Sequence, residues 1–169
     1  MSGPQPIELN PAEAAGWIQA RLARAEESLT EGNLDGALDA YVQSLGLALQ
    51  LGPAATEQVL STILASAAVL ACRRDSGGLS AMGPALVGLT GQMRQAQALQ
   101  STVMEAWASI VDGVGALIGQ LGLALALPLE RQEGMLDNAR AHAAILDDAT
   151  GGILGLAEWI EGIASKLSS

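Results

Sequence analysis

Between Leu79 and Ala124, apolar residues recur at alternating intervals of three and four. The series runs Leu79, Met82, Leu86, Leu89, Met93 and Ala96, then Val103, Trp107, Ile110, Val114, Leu117, Leu121 and Ala124. Only Gln100, in the middle of the series, is polar. Such heptad spacing keeps one stripe of a helix turned toward partner helices, whereas a strand alternates with a period of two. As one helix the stretch would span about 70 Å at 1.5 Å per residue. A bend at Gly88 and Gly91 would divide it into two helices that keep phase. Pro84 fits either form if the helix starts near Ser80, because proline is tolerated in a first turn.

The rest of the chain agrees with a helical core. The protein has no Phe, one Tyr and three Trp, so its interior must be built from Leu, Ala, Ile and Val. No β-branched run with period-two alternation is present. A chain of 169 residues has room for one domain with a real core and little room for two. The expected architecture is therefore all-α, an antiparallel helical bundle of about six helices around the long central one.

Charge divides the sequence. The net charge of −10 disfavours nucleic acid, whose binding needs a basic surface, and an anionic membrane surface. Residues 58–129 hold only six charged side chains, Arg73, Arg74, Asp75, Arg94, Glu105 and Asp112. A helix face stays in water by carrying charge, so this middle region is expected in a central layer, at an oligomer interface or against lipid. Cys72 is the one cysteine and allows no internal disulfide. The first residues show neither the basic region nor the apolar core of a signal peptide, and the expected location is the cytoplasm.

Helix signals subdivide the chain. Residues 1–10 read as a flexible tail and 11–169 as a single all-α domain. Asn10-Pro11 is a helix start, with Asn as cap and Pro in the first turn. Gly32-Asn33 separates two helices of a hairpin over 11–52, and so short a connection makes them antiparallel. Gly52-Pro53 opens a third helix over 53–76, and Arg73 to Gly78 reads as a loop. The central stretch occupies 79–127 until Pro128 stops it, and closing helices fill 128–169. Asp147 to Gly152 reads as a turn with capping residues.

Within the hairpin, Ala25, Gly32, Leu34, Ala37, Tyr41 and Ser44 fall on the small, glycine and aromatic positions of one repeat unit. Residues 22–53 thereby resemble a single tetratricopeptide repeat, and equally the helical hairpin of the MIT (microtubule-interacting and transport) domain. The resemblance implies a hairpin that docks segments of partner proteins.

Chemistry-bearing groups are sparse. Gly113 to Gly119 is glycine-rich, but it follows a helical pattern and lacks the G-x-G-x-x-G spacing of a dinucleotide loop. Gly115 with Gly119, and Gly151 with Gly155, instead have the small-xxx-small spacing that lets helix backbones approach closely. From Gly113 to Leu129 there is no charge, a length of about 17 residues, near the lower limit for spanning a bilayer. Asp112 and Gln120 weigh against insertion. His142, the single histidine, reads as a surface or rim residue, and Cys72 as a buried structural thiol. No nucleophile, base and orienting group stand together, so no catalytic, cofactor-binding or metal site is expected.

These readings converge on a non-catalytic protein–protein interaction adaptor or scaffold that forms homo-oligomers through apolar helix faces. Partner contact is expected at Leu38, Tyr41 and Leu45 with the acidic face Glu27, Glu31, Asp35 and Asp39. Met93, Val103, Trp107, Ile110, Val114, Leu117 and Leu121 are expected to form the packing and oligomer seam. The alternative is a membrane-active helical protein that inserts segment 113–129.

Overall fold

The computed structural model describes residues 10–168 and is all-α, with seven helices and no strand among the described residues. They are α1 (Pro11–Thr30), α2 (Leu34–Leu51), α3 (Pro53–Cys72), α4 (Ser76–Gln95), α5 (Thr102–Ala126), α6 (Leu129–Thr150) and α7 (Leu156–Ser168). The tail expected over residues 1–10 lies, apart from Asn10, outside the described residues.

Local chemistry sets the first boundaries. The Asn10 side chain accepts a hydrogen bond from the Ala12 N–H, and Pro11 occupies the first helical position. Asn33 caps α2 in the same way by accepting from the Gly36 N–H. Gly52, at φ +130°, is both the end of α2 and the cap of α3, a conformation that excludes a side chain. Asp75 caps α4 through the Gly78 N–H, so α4 begins at Ser76 and the loop before it shrinks to Arg73–Asp75.

The 79–127 stretch is two helices. The break falls between Gln95 and Thr102, while Gly88 and Gly91 lie inside α4 without ending it. Gln97 takes a left-handed φ of 55°, and the Ala98 N–H returns to the Met93 carbonyl at 2.8 Å, which closes the end of α4. Ser101 then caps α5 by accepting from the Met104 N–H. Because α4 starts four residues before Ser80, Pro84 is an interior residue rather than a first-turn one.

One core runs through all seven helices. Ile18 and Leu22 from α1 meet Tyr41, Leu45 and Leu49 from α2, and Val59, Leu60 and Ile63 from α3. Leu79, Met82 and Leu86 of α4, Val114, Leu117, Ile118 and Leu121 of α5, Leu136 of α6 and Ile160 of α7 complete it. The α1/α2 hairpin lies on α3, and the antiparallel α4/α5 pair crosses α2 and α3. Helix α6 packs beside α5, and α7 beside α6. Helix α7 returns to α3, where the Trp159 Nε1–H donates to the Leu64 carbonyl at 2.8 Å. Arg74, just beyond α3, donates to the Leu167 carbonyl at 3.0 Å and so caps the last turn of α7.

Two expected turns differ. Asp147 and Asp148 belong to α6, which continues to Thr150 before Gly151 ends it at φ 66°. Gly151 and Gly155 therefore sit in the connection at positive φ and do not form a small-residue pair between helices.

Candidate functional site

At the α4/α5 crossing the two backbones approach closely. A Cβ placed on Gly83 would lie 2.5 Å from the Gly115 carbonyl oxygen and 2.8 Å from the Gly119 nitrogen. A Cβ on Gly115 would meet the Gly83 carbonyl at 2.8 Å, and one on Gly122 would meet the Ser80 nitrogen at 2.9 Å. Backbone touches backbone along this line, at Gly83, Gly115 and Gly122. Of the expected Gly115/Gly119 pair, Gly115 meets Gly83, which nothing in the local spacing of α4 singles out, whereas a Cβ on Gly119 would meet nothing within 4 Å.

The three charged residues of this pair compensate one another. Arg94 Nε donates to Glu105 at 2.9 Å, its Nη1 donates to Asp112 at 2.8 Å, and Thr90 hydrogen-bonds Asp112 from the other side. The Arg94 pKa is raised, first by the bond to Asp112 and then by that to Glu105. The cluster lies at the turn end of the pair. Beyond it, α4 from Ser76 to Met93 and α5 from Gly113 to Ala126 carry no charged side chain.

The outward side of that uncharged part is open. Ser80 and Pro84 of α4 and Ala116, Gly119, Gln120 and Leu123 of α5 line a shallow groove of about 310 Å³. Val87 and Leu123 are apolar yet 42% and 58% exposed. Gln120 also faces α6, where its side-chain oxygen lies 3.1 Å from His142 Nδ1. His142 is half-buried there, in accord with a rim position.

The residues expected to form the seam separate into two groups. Val114, Leu117 and Leu121 are fully buried and Met93 nearly so, and all four pack into the core. Trp107 and Ile110 are half-buried against that core, and Val103 is 51% exposed. Heptad phase therefore marks the inward face of α5, and the open apolar face lies on other positions.

The residues expected to meet a partner on the hairpin separate as well. Tyr41 and Leu45 are 1% and 0% exposed, and Leu38 is half-buried. The Tyr41 hydroxyl is hydrogen-bonded to Ser66 of α3, and burial, the leading cause, raises its pKa. Tyr41 thereby joins the hairpin to α3, and Leu45 lies in the common core. The carboxylates Glu27, Glu31, Asp35 and Asp39 are exposed and remain on the surface.

Two further grooves flank the hairpin. One, of about 520 Å³, runs between Trp17 of α1, Val42 and Gly46 of α2, and Leu89 and Met93 of α4. Arg21 stacks on Trp17 at 4.3 Å from the ring centroid and hydrogen-bonds Gln43. The other, of about 310 Å³, lies between Glu26 and Leu29 of α1 and Ala65, Val69 and Arg73 of α3. Both depend on contacts between distant elements, which spacing along one helix does not carry. Cys72, expected to be buried, is exposed, because the last turn of α3 turns it away from the core.

Among the described residues no three His, Cys, Asp or Glu side chains come together as metal ligands could. Helices α3 and α5 are long and apolar enough to cross a membrane, and half of each one's most apolar window is buried inside the fold. Comparison of the chain with known protein families, curated proteins and solved structures found no match.

Proposed function

We propose that this protein is a non-catalytic interaction scaffold that binds other protein and associates with itself through apolar helix faces. The observation that carries the reading is the open, uncharged side of the α4/α5 pair, with Val87 and Leu123 exposed on a protein of net charge −10. A soluble acidic protein keeps helix faces in water by charging them, so a charge-free face of this length is suited to burial against another surface. The hairpin, whose sequence resembles a tetratricopeptide or MIT-type unit, offers Glu27, Glu31, Asp35 and Asp39 to a basic partner segment. Charge of that kind mainly speeds and orients encounter.

The competing reading inserts segment 113–129 into a bilayer, and α5, which carries most of that segment, is long and apolar enough to cross one. Insertion would have to strip Val114, Leu117, Ile118 and Leu121 from the core. Molar mass by light scattering on a sizing column, without detergent, tests the proposal. A discrete dimer or small oligomer is expected. A monomer at 100 µM and above overturns self-association, and material that stays dispersed only in detergent favours insertion.

A further inference from the structure

We infer that the outward face of α4/α5, not the heptad seam, is the self-association surface, and that a second copy of this chain occupies it across a twofold axis. The inference rests on the scaffold reading and adds where, and against what, the protein associates. Ser80, Pro84, Val87, Ala116, Gly119 and Leu123 form its centre.

Area is the first argument. The uncharged part of the pair is about 25 Å long at 1.5 Å per residue, and two helices packed 8–10 Å apart are about 20 Å wide. The projected footprint is on the order of 500 Å² per copy, or about 1,000 Å² over both, the lower end of specific interfaces.

Charge is the second. Two copies that each carry −10 repel wherever their acidic surfaces meet, and the Debye length at physiological salt is only about 8 Å. Contact through the charge-free face holds the acidic α1/α2 surfaces outward and apart. The Arg94–Glu105–Asp112 cluster bounds the face at its turn end, and its one arginine is already paired with both carboxylates within the chain.

The third argument favours protein over lipid. Pro84 has no N–H and is interior to α4, so the Ser80 carbonyl, four residues earlier, lacks its helical donor. Ser80 is exposed, and Gln120 lines the same groove. Hydrocarbon gives the Ser80 carbonyl and hydroxyl nothing to bond. A second copy supplies the hydroxyl and amide donors that the carbonyl requires. In an isologous interface each chain both gives and receives these groups.

The test is sedimentation equilibrium of the full chain with Leu123→Glu, Val87→Glu and, as an equally exposed control off the face, Val69→Glu. The expected result is a wild-type dimer unchanged in 0.5 M NaCl. Either face variant should weaken dimerisation at least a hundredfold at an unchanged melting temperature, while Val69→Glu stays dimeric. A dimer that persists in both face variants overturns this assignment but leaves the scaffold reading standing. A monomeric wild-type protein overturns this assignment and, with it, the self-association of the scaffold reading. Flotation of monomeric wild type, but not Leu123→Glu, with phosphatidylcholine vesicles would replace the second copy by lipid.

Discussion

In the α4/α5 pair glycine lets one backbone rest on the other, whereas in the α6/α7 pair a single arginine gathers carboxylates from both helices. Arg140 of α6 reaches Asp137 at 2.7 Å and Glu133 at 2.9 Å on its own helix, and Glu161 of α7 at 2.6 Å. Asp147 of α6 adds a second tie, accepting from the Leu156 and Ala157 N–H groups at 2.9 Å and so capping the start of α7. The middle of the first pair depends on shape, which salt and pH do not touch and a single methyl can spoil, and only its turn end is tied by charge, through Arg94 to Glu105 and Asp112. The second depends on charge and directed hydrogen bonds, which tolerate neighbouring substitutions and respond to the solvent. This difference matches what each pair exposes. Beyond the Arg94 cluster α4 and α5 carry no charge and are closed by packing, which leaves their outward face free for another surface.

The largest effect is expected at Gly83. In an isolated helix Gly→Ala is favourable by about 1 kcal/mol. At Gly83 the added methyl meets the Gly115 carbonyl and Gly119 nitrogen, which are backbone and cannot rotate aside. The pair must separate, and contacts all along it weaken. Gly83→Ala is expected to lose about 3 kcal/mol net, roughly a 10 °C fall in melting temperature for a chain of this size. Gly88→Ala, in the same helix with nothing within 4 Å, should instead gain up to about 1 kcal/mol. If thermal melts show the two changes to be alike, backbone contact is not what closes α4/α5.

How much of this was legible follows from where each interaction lives. Periodicity is local to one helix, so the helical class and the inward face of α5 at Val114, Leu117 and Leu121 could be read directly. The division of the 79–127 stretch could not be placed, because its break at Ala96–Ser101 contains neither Gly nor Pro. Gln97 adopts the left-handed cap that glycine usually supplies. The usable signal was Ser101, a capping residue just before Thr102. Gly88 and Gly91 pointed to the wrong place because glycine inside a helix is tolerated at modest cost. Tyr41 and Leu45 share a face of α2 with half-buried Leu38, and no pattern within one hairpin says that α3 will cover them. The open face had a partial signal, the absence of charge from Gly113 to Leu129. Its α4 half, Pro84 and Val87, emerges only when the two helices are paired.

A smaller effect is expected where α6 meets α7. Asp147→Ala leaves the first two N–H groups of α7 without their acceptor, and loss of a capping side chain costs about 1–2 kcal/mol. Leu156, Ile160 and Ile163 still bury their side chains, so α7 should loosen without detaching. Amide hydrogen exchange should show lost protection in the first turn of α7 and unchanged protection in α4 and α5. Asp147→Asn, which keeps one acceptor oxygen, should fall between. Equal loss of protection in both pairs would mean that they unfold as one unit, and the contrast between them would disappear.

The smallest effect separates charge from shape most cleanly. Arg140 donates to three carboxylates, and those bonds raise its pKa. Each carboxylate side chain is nevertheless at least 60% exposed, so water and salt screen the attraction. Arg140→Met keeps most of the aliphatic stem and removes the charge, and should cost no more than about 1 kcal/mol at low salt. In 1 M NaCl the Debye length falls to about 3 Å, and the difference from wild type should shrink toward zero. Gly83→Ala should keep its full penalty there, because a steric overlap has no charge to screen. Denaturant melts of the two variants at both salt concentrations supply the comparison. A salt-independent loss for Arg140→Met would mean that its stem, and not its guanidinium, joins α6 to α7, so that both pairs are closed by packing.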